Sequence, residues 1–302
     1  MKKSVLPALS IVVLFLMLTH PALSFEGARN GLLLWYQTVV PTLLPFMICS
    51  NVIVSLNGIR LMTAPVRPLL KSMFRLSDAG CYVLVSGLLC GYPMGAKTCG
   101  EFVRQGTISP AEGRYLLSVS NHPSPMFLLG FAASLMDPSV SVPVFLTAVY
   151  LPVLPLALLS RNVYAVSSSS ESTVHQTQPH LSFDESMTAS FEIMIKIGGY
   201  IMLFSILASF IGRLSFLSSP VQALLLGMVE ITTGIRALSR TFSGTLQGLF
   251  LCMAAVFGGT CGLFQTRSVL AGSGLSLSHY ILWKFLHMVL AAGVFLSLSA
   301  LL

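Results

Sequence analysis

Long apolar runs, most of them interrupted by glycine or proline, carry almost the whole of this chain. Residues 5–18 open it, followed by 31–56, 81–90, 115–136 and 142–159. After a polar gap come 187–211, 221–235, 244–263 and 276–302. A helix needs about 20 apolar residues to cross a bilayer, and several of these runs have that length. Pro41 and Pro45 predict a bend in 31–56, whose Trp35 and Tyr36 suit the aromatic belt at a membrane interface. The pattern predicts an all-α, polytopic membrane protein with broken or re-entrant helices.

The breaks are the informative part. The run 81–90 is too short to cross comfortably, and it leads into Gly91-Tyr92-Pro93-Met94-Gly95-Ala96-Lys97. We read a half-helix that turns at Gly91-Tyr92-Pro93 and returns to its own side through Lys97, Glu101, Arg104, Glu112 and Arg114. Ser109-Pro110-Ala111-Glu112 has the cap, proline and acid of a helix start. About thirty residues beyond the first break lies a second, Asn121-His122-Pro123-Ser124-Pro125. Lipid offers no partners to freed backbone groups, so irregular backbone at membrane depth belongs in packed protein or beside a wet cavity. Many transporters build their solute sites from such discontinuous helices.

Two halves share this plan. Residues 225–227 with Gly234-Ile235-Arg236 parallel residues 84–87 with Gly95-Ala96-Lys97, and Gly258-Gly259-Thr260-Cys261-Gly262 is the later break of the second half. The domains are then 1–30, an N-terminal transmembrane helix or signal-like anchor with a short loop; 31–161, the first repeat; 162–186, a polar, Ser-rich linker with His175 and His180; and 187–302, the second repeat. Lys2 and Lys3 before an apolar run, with Ala22-Leu23-Ser24 after it, fit a signal peptide as well as a first spanning helix; the short loop that follows favours the helix. Arg60, Arg67, Lys71 and Arg75 place their loop, or an amphipathic helix over 62–74, on the inner face. Counted this way, residue 31 starts outside and residue 187 inside, which makes the repeats inverted. Glu192 and Lys196, one turn apart, are placed to pair.

Composition agrees. Of 302 residues, 54% are hydrophobic and 9% charged, against roughly 25% charged in a soluble domain. The net charge of +7 is spread over short loops, which suits topology rather than nucleic acid. The six cysteines form no C-x-x-C pair and read as buried thiols, with no metal site or disulfide. No Walker lysine motif, H-E-x-x-H, G-x-S-x-G or carboxylate cluster is present, so neither catalytic residues nor cofactors are expected.

The candidate chemistry sits at the breaks. Gly91, Tyr92, Pro93 and Gly95 would line a solute cavity, and Lys97 would meet an anionic solute there, unless it serves only as an interfacial lysine. Asn121, His122 and Ser124 would bond a polar solute, with Thr260 and Gln265 as second-half counterparts. Glu230 is the acid deep in an apolar run without an evident helical partner, and we assign it ion or proton coupling, or pairing with Arg236 or Lys97.

Three stretches carry a resemblance: Gly31 to Trp35 with Val40-Pro41-Thr42-Leu43-Leu44-Pro45-Phe46, Ser86-Gly87 with Gly91 to Lys97, and Ser120 to Phe127. Together they resemble the sporulation integral membrane protein YlbJ (SpoVV) family, with its nucleoside-recognition, or Gate, domain. The resemblance spans most of the chain and is looser in the second half. It implies two Gate-like repeats, an endospore-forming bacterium, and a place in the cell membrane or a forespore-surrounding membrane. It also implies a role in spore maturation through movement of a small anionic metabolite, with dipicolinate as the candidate. The partners expected are the lipid bilayer, the solute, and further copies of the chain or other sporulation membrane proteins. The rival reading is a non-transporting scaffold in spore envelope assembly, for which neutral replacements at Lys97 and Glu230 would be harmless.

Overall fold

The computed structural model describes residues 2–56, 58–165 and 182–301, with side chains from residue 10 onward. Most of the linker expectation, His175 and His180 included, therefore falls outside the described residues. The described residues form helices and no strands. In chain order these are α1 (Lys2–Thr19), α2 (Pro21–Leu34), a π turn (Trp35–Val39), α3 (Val40–Ser55), α4 (Ile59–Thr63), α5 (Arg67–Phe74), α6 (Asp78–Cys90), α7 (Met94–Arg104), α8 (Pro110–Val119) and α9 (Pro125–Phe127). Then follow α10 (Val142–Tyr150), α11 (Val153–Val163), α12 (Phe183–Ile211), α13 (Ser219–Val229), α14 (Ile231–Thr241), α15 (Gly244–Phe257), α16 (Gly259–Val269) and α17 (Leu277–Ser299).

Five stretches are long and apolar enough to cross a membrane: Pro21–Ser55, Val142–Val163, Phe183–Ile211, Gly244–Val269 and Leu277–Ser299. The first begins ten residues before the run read from the sequence, because residues 22–30 continue the helix. Pro41 and Pro45 sit within α3, and the π turn precedes it.

Two elements are hairpins rather than spans. In α6–α7 and again in α13–α14 the chain descends, turns at a tip and packs back on itself. Glycine sets the closeness of each pair. A Cβ on Gly87 would lie 2.9 Å from the Gly95 Cα, and one on Gly234 would lie 2.6 Å from the Gly227 backbone nitrogen. The residue pairs aligned from sequence thus occupy the same crossing in both hairpins. The second tip is Glu230, however, not the glycine–arginine stretch after it. Each hairpin is followed by a broken span: α8 and α9 flank residues 120–124, and α15 and α16 flank Gly258, whose φ is +78°.

The two long spans run antiparallel. Gly27 faces Ile206, Gly31 faces Met202, the Trp35 indole donates to the Met194 carbonyl at 3.0 Å, and Asn51 donates to the Ser190 hydroxyl at 3.0 Å. Small residues let helices approach this closely in lipid.

Loop chemistry fixes the ends. Ser109 caps α8 at 3.1 Å with Pro110 first in the helix, as its sequence predicts. Arg60, Arg67 and Lys71 all converge on Asp78, at 3.2, 2.6 and 2.7 Å. Glu192 and Lys196, expected to pair, form no ion pair. Between spans, the Asp137 carboxylate accepts from the Gly244 amide at 2.9 Å and from the Ser139 amide and hydroxyl at 2.9 and 2.7 Å. These bonds, the Gly244 amide foremost, hold its carboxyl below the usual range. A depressed folded value adds stability above the unfolded-state carboxylate range and loses it as pH falls through the folded value. Asp137→Asn is therefore expected to flatten the acid side of a melting-temperature profile in detergent, whereas an unchanged profile would mean the loop contributes nothing.

Candidate functional site

The two hairpin tips and the two broken spans meet. Gly91 lies so close to Ser124 that a Cβ would be 2.6 Å from its amide nitrogen, and Gly95 packs on the Ser120 carbonyl. Across the halves, the Tyr92 hydroxyl donates to the Ala255 and Val256 carbonyls, at 3.3 and 2.5 Å. These carbonyls lie at the end of α15, before the Gly258 break. The second tip seats on Gly259, and the Thr260 hydroxyl donates to the Met228 carbonyl at 2.8 Å. The freed backbone groups of one break are thus partly satisfied by the other hairpin, which answers the demand of the apolar medium.

A cavity of about 90 Å³ opens where they meet. Tyr92, Ser124, Glu230, Thr232, Gly258 and Gln265 line it, with apolar walls from Leu34, Val39, Ile197 and Ile201. Glu230 is the one charged residue among those lining it. Its side chain caps α14, accepting from the Thr232 amide and hydroxyl at 3.1 and 2.5 Å and the Thr233 amide at 2.8 Å. Neither Arg236 nor Lys97 pairs with it.

A second cavity of about 260 Å³ is bounded by four of the elements that line the first, further along each. On the first long span the inner cavity meets 34–43 and the outer 50–55; on α12, 197–201 against 189–196; on α16 and its end, 258–265 against 268–271. On the first hairpin it is the tip against residues 97–105 of α7 and just beyond. The outer cavity is cationic, with Lys97, Arg104 and Lys196 against Glu101. Leu43, Met47, Cys90, Met94 and Met194 of these elements form one buried apolar cluster; Leu43 and Cys90 line the inner cavity, and along the chain Met47 and Met94 fall between the stretches that meet the two cavities.

The expected site residues separate accordingly. Tyr92, Ser124, Glu230 and Gln265 line the inner cavity. Lys97 does not: it stands in the outer cavity, donating to the Asn51 side chain at 2.8 Å and paired with Glu101 at 3.2 Å. Gly91, Pro93 and Gly95 form the tip and its packing rather than the wall. Asn121 braces the halves, donating to the Thr266 hydroxyl at 3.1 Å and the Tyr280 hydroxyl at 2.8 Å. His122 is buried behind the tip, its Nε2 2.5 Å from the Val119 carbonyl. Thr260 binds backbone at the rim.

Sequence reasoning gave no role to Lys284 and His287. Tyr280, Lys284 and His287 follow one another at helical spacing on α17, and that polar stripe in an apolar run was the available signal. Lys284 is 2% exposed, with its Nζ 4.7 Å from the Tyr92 ring centre.

Searches of known proteins add one relation. The chain is 27% identical over 338 aligned residues, 97% of its own length and 83% of the relative's, to a "Sporulation integral membrane protein YlbJ" of Bacillus subtilis (strain 168). No family model matches the chain. No solved structure matches it.

Proposed function

We propose that the chain is a member of the family of the sporulation integral membrane protein YlbJ and that it carries a small anionic metabolite, dipicolinate the candidate, across a forespore-surrounding membrane. The observation that carries this reading is the pair of cavities that share four elements, with a buried apolar layer holding Met47, Met94 and Met194 on those elements. Such a layer suits a barrier that opens to one side at a time, because methionine repacks readily. The paired hairpins and broken spans support a Gate-like plan with the solute at their meeting point.

The charge pattern favours an anion. Lys97, Arg104 and Lys196 draw one into the outer cavity, where low-dielectric walls strengthen the attraction. Deeper in, Glu230 meets the solute with like charge, which assigns it a proton or a cation to hold during passage. The test is uptake of labelled dipicolinate into proteoliposomes. Saturable uptake is expected, and Lys97→Ala should weaken apparent affinity about tenfold, the equivalent of about 1.4 kcal/mol. Absent uptake from folded protein would favour the scaffold reading.

A further inference from the structure

Behind Tyr92, on the side away from the inner cavity, lies a cluster of bases with no acid. Lys284 is buried and its Nζ has no hydrogen-bond partner. The His122 and His287 rings stand edge to face at 5.0 Å. Each histidine points its Nε2 at a backbone carbonyl, Val119 at 2.5 Å and Val149 at 2.8 Å. A carbonyl only accepts, so each Nε2 carries the hydrogen and each neutral ring leaves a bare Nδ1. Both Nδ1 atoms are buried without a partner, as is the hydroxyl of Ser120, two residues before His122.

Titratable groups reach this region from several elements. Tyr92 comes from the first hairpin, His122 from the first broken span, Tyr150 from α10, the thiol Cys252 from α15 in the adjoining core, and Tyr280 and His287 from α17 itself. The acid on α8, Glu112, is held by the Ser77 amide at the far end of that helix. A lone buried ammonium is costly unless paired, and here the Tyr92 face is the electron-rich neighbour. Three nitrogens, the Lys284 Nζ and the two Nδ1, can bind protons here, and no carboxylate among the described residues pairs with them. An intramembrane cluster of this composition is a functional site by default.

We propose that Lys284, His122 and His287 form a proton-loading site coupled to the anion through Tyr92. Protons bound here offset the charge that an anionic solute brings to the cavity beside Glu230. The step is proton transfer alone: a nitrogen lone pair takes a proton from hydronium in the surrounding water, an N–H bond forms as one O–H bond breaks, and water is left behind. Tyr92 is the link, since one residue both lines the cavity and covers Lys284. The inference rests on the transport reading for the identity of its anion, but not for the existence of the base cluster.

The experiment uses the full chain in nanodiscs, with two readouts. In weakly buffered solution with a pH-sensitive dye, dipicolinate binding should draw net proton uptake, and Lys284→Met and the His122→Gln/His287→Gln double variant should each reduce it. Separately, ¹⁵N spectra of the histidine rings should show Nδ1 titrating while Nε2 keeps its hydrogen, with Lys284→Met shifting that titration. Lys284→Gln serves the same purpose if the methionine variant does not fold. Binding without proton uptake, or uptake untouched by the variants, overturns the coupling and leaves transport standing. If dipicolinate does not bind, the transport reading fails and the ring spectra decide: a titration indifferent to position 284 overturns the base cluster, and one that shifts upholds it.

Discussion

Gly87→Ala is expected to leave little folded protein, where Gly199→Ala is harmless. At Gly87 a Cβ would penetrate the Ser120 carbonyl oxygen, with the carbonyl carbon 3.0 Å and the Gly95 Cα 2.9 Å away. All three are backbone, so no side chain can swing aside. Overpacking of this kind costs roughly 1–3 kcal/mol where neighbours can move, and more where they cannot. The loss is concentrated where the hairpin, its return helix and the broken span touch, so the tip residues lose their seat together. Gly199 lies on α12 with nothing within 4 Å of an added Cβ. Thermal stability in detergent, read by fluorescence-detected size exclusion, separates the two. A Gly87→Ala melt indistinguishable from that of Gly199→Ala would mean the hairpin is not held as described. Gly234→Ala, against the backbone of Gly227, should behave like Gly87→Ala.

Met94→Ala is expected to weaken the protein and spoil the barrier together. Met94 is wholly buried in the apolar layer, with Met47 and Met194. Truncating a buried methionine costs about 2–5 kcal/mol, with the spread set by how far the site collapses. Collapse is limited here, because the elements that carry the layer already border two cavities. The vacated volume should join the cavities into one passage. In proteoliposomes, uptake should then lose its saturation and become a leak that follows the solute gradient. A variant that melts lower yet keeps saturable uptake would place the barrier elsewhere.

Much of the architecture was legible because lipid makes glycine and proline breaks conspicuous. The tip at Gly91 and the break at Asn121 to Pro125 stand out as polar or flexible islands in apolar runs. The tip at Glu230 did not, because a capping acid looks the same in sequence as any membrane acid; only the amides of Thr232 and Thr233 reveal its task. Lys97 was placed at the solute site by its nearness to the break, but residues 94–97 already complete a helical turn and carry it into the outer cavity. Asn121 was legible as important but not as a brace, since Thr266 and Tyr280 lie 145 and 159 residues away. Lys284 carries no sequence motif that marks it, and only its packing against Tyr92 shows that it is interior.

The antiparallel seam of Gly27 and Gly31 against Ile206 and Met202 has a mechanical meaning. Backbones in such contact cannot slide past each other without glycine meeting side chains that it was placed to avoid. The long spans therefore form a fixed post, and both cavities use that post as a wall. On the transport reading, the parts left to move are the hairpins, pivoting on their glycine crossings. A cycle of that kind leaves the lipid-facing outline nearly constant, so membrane thickness and tension should bear little on its rate.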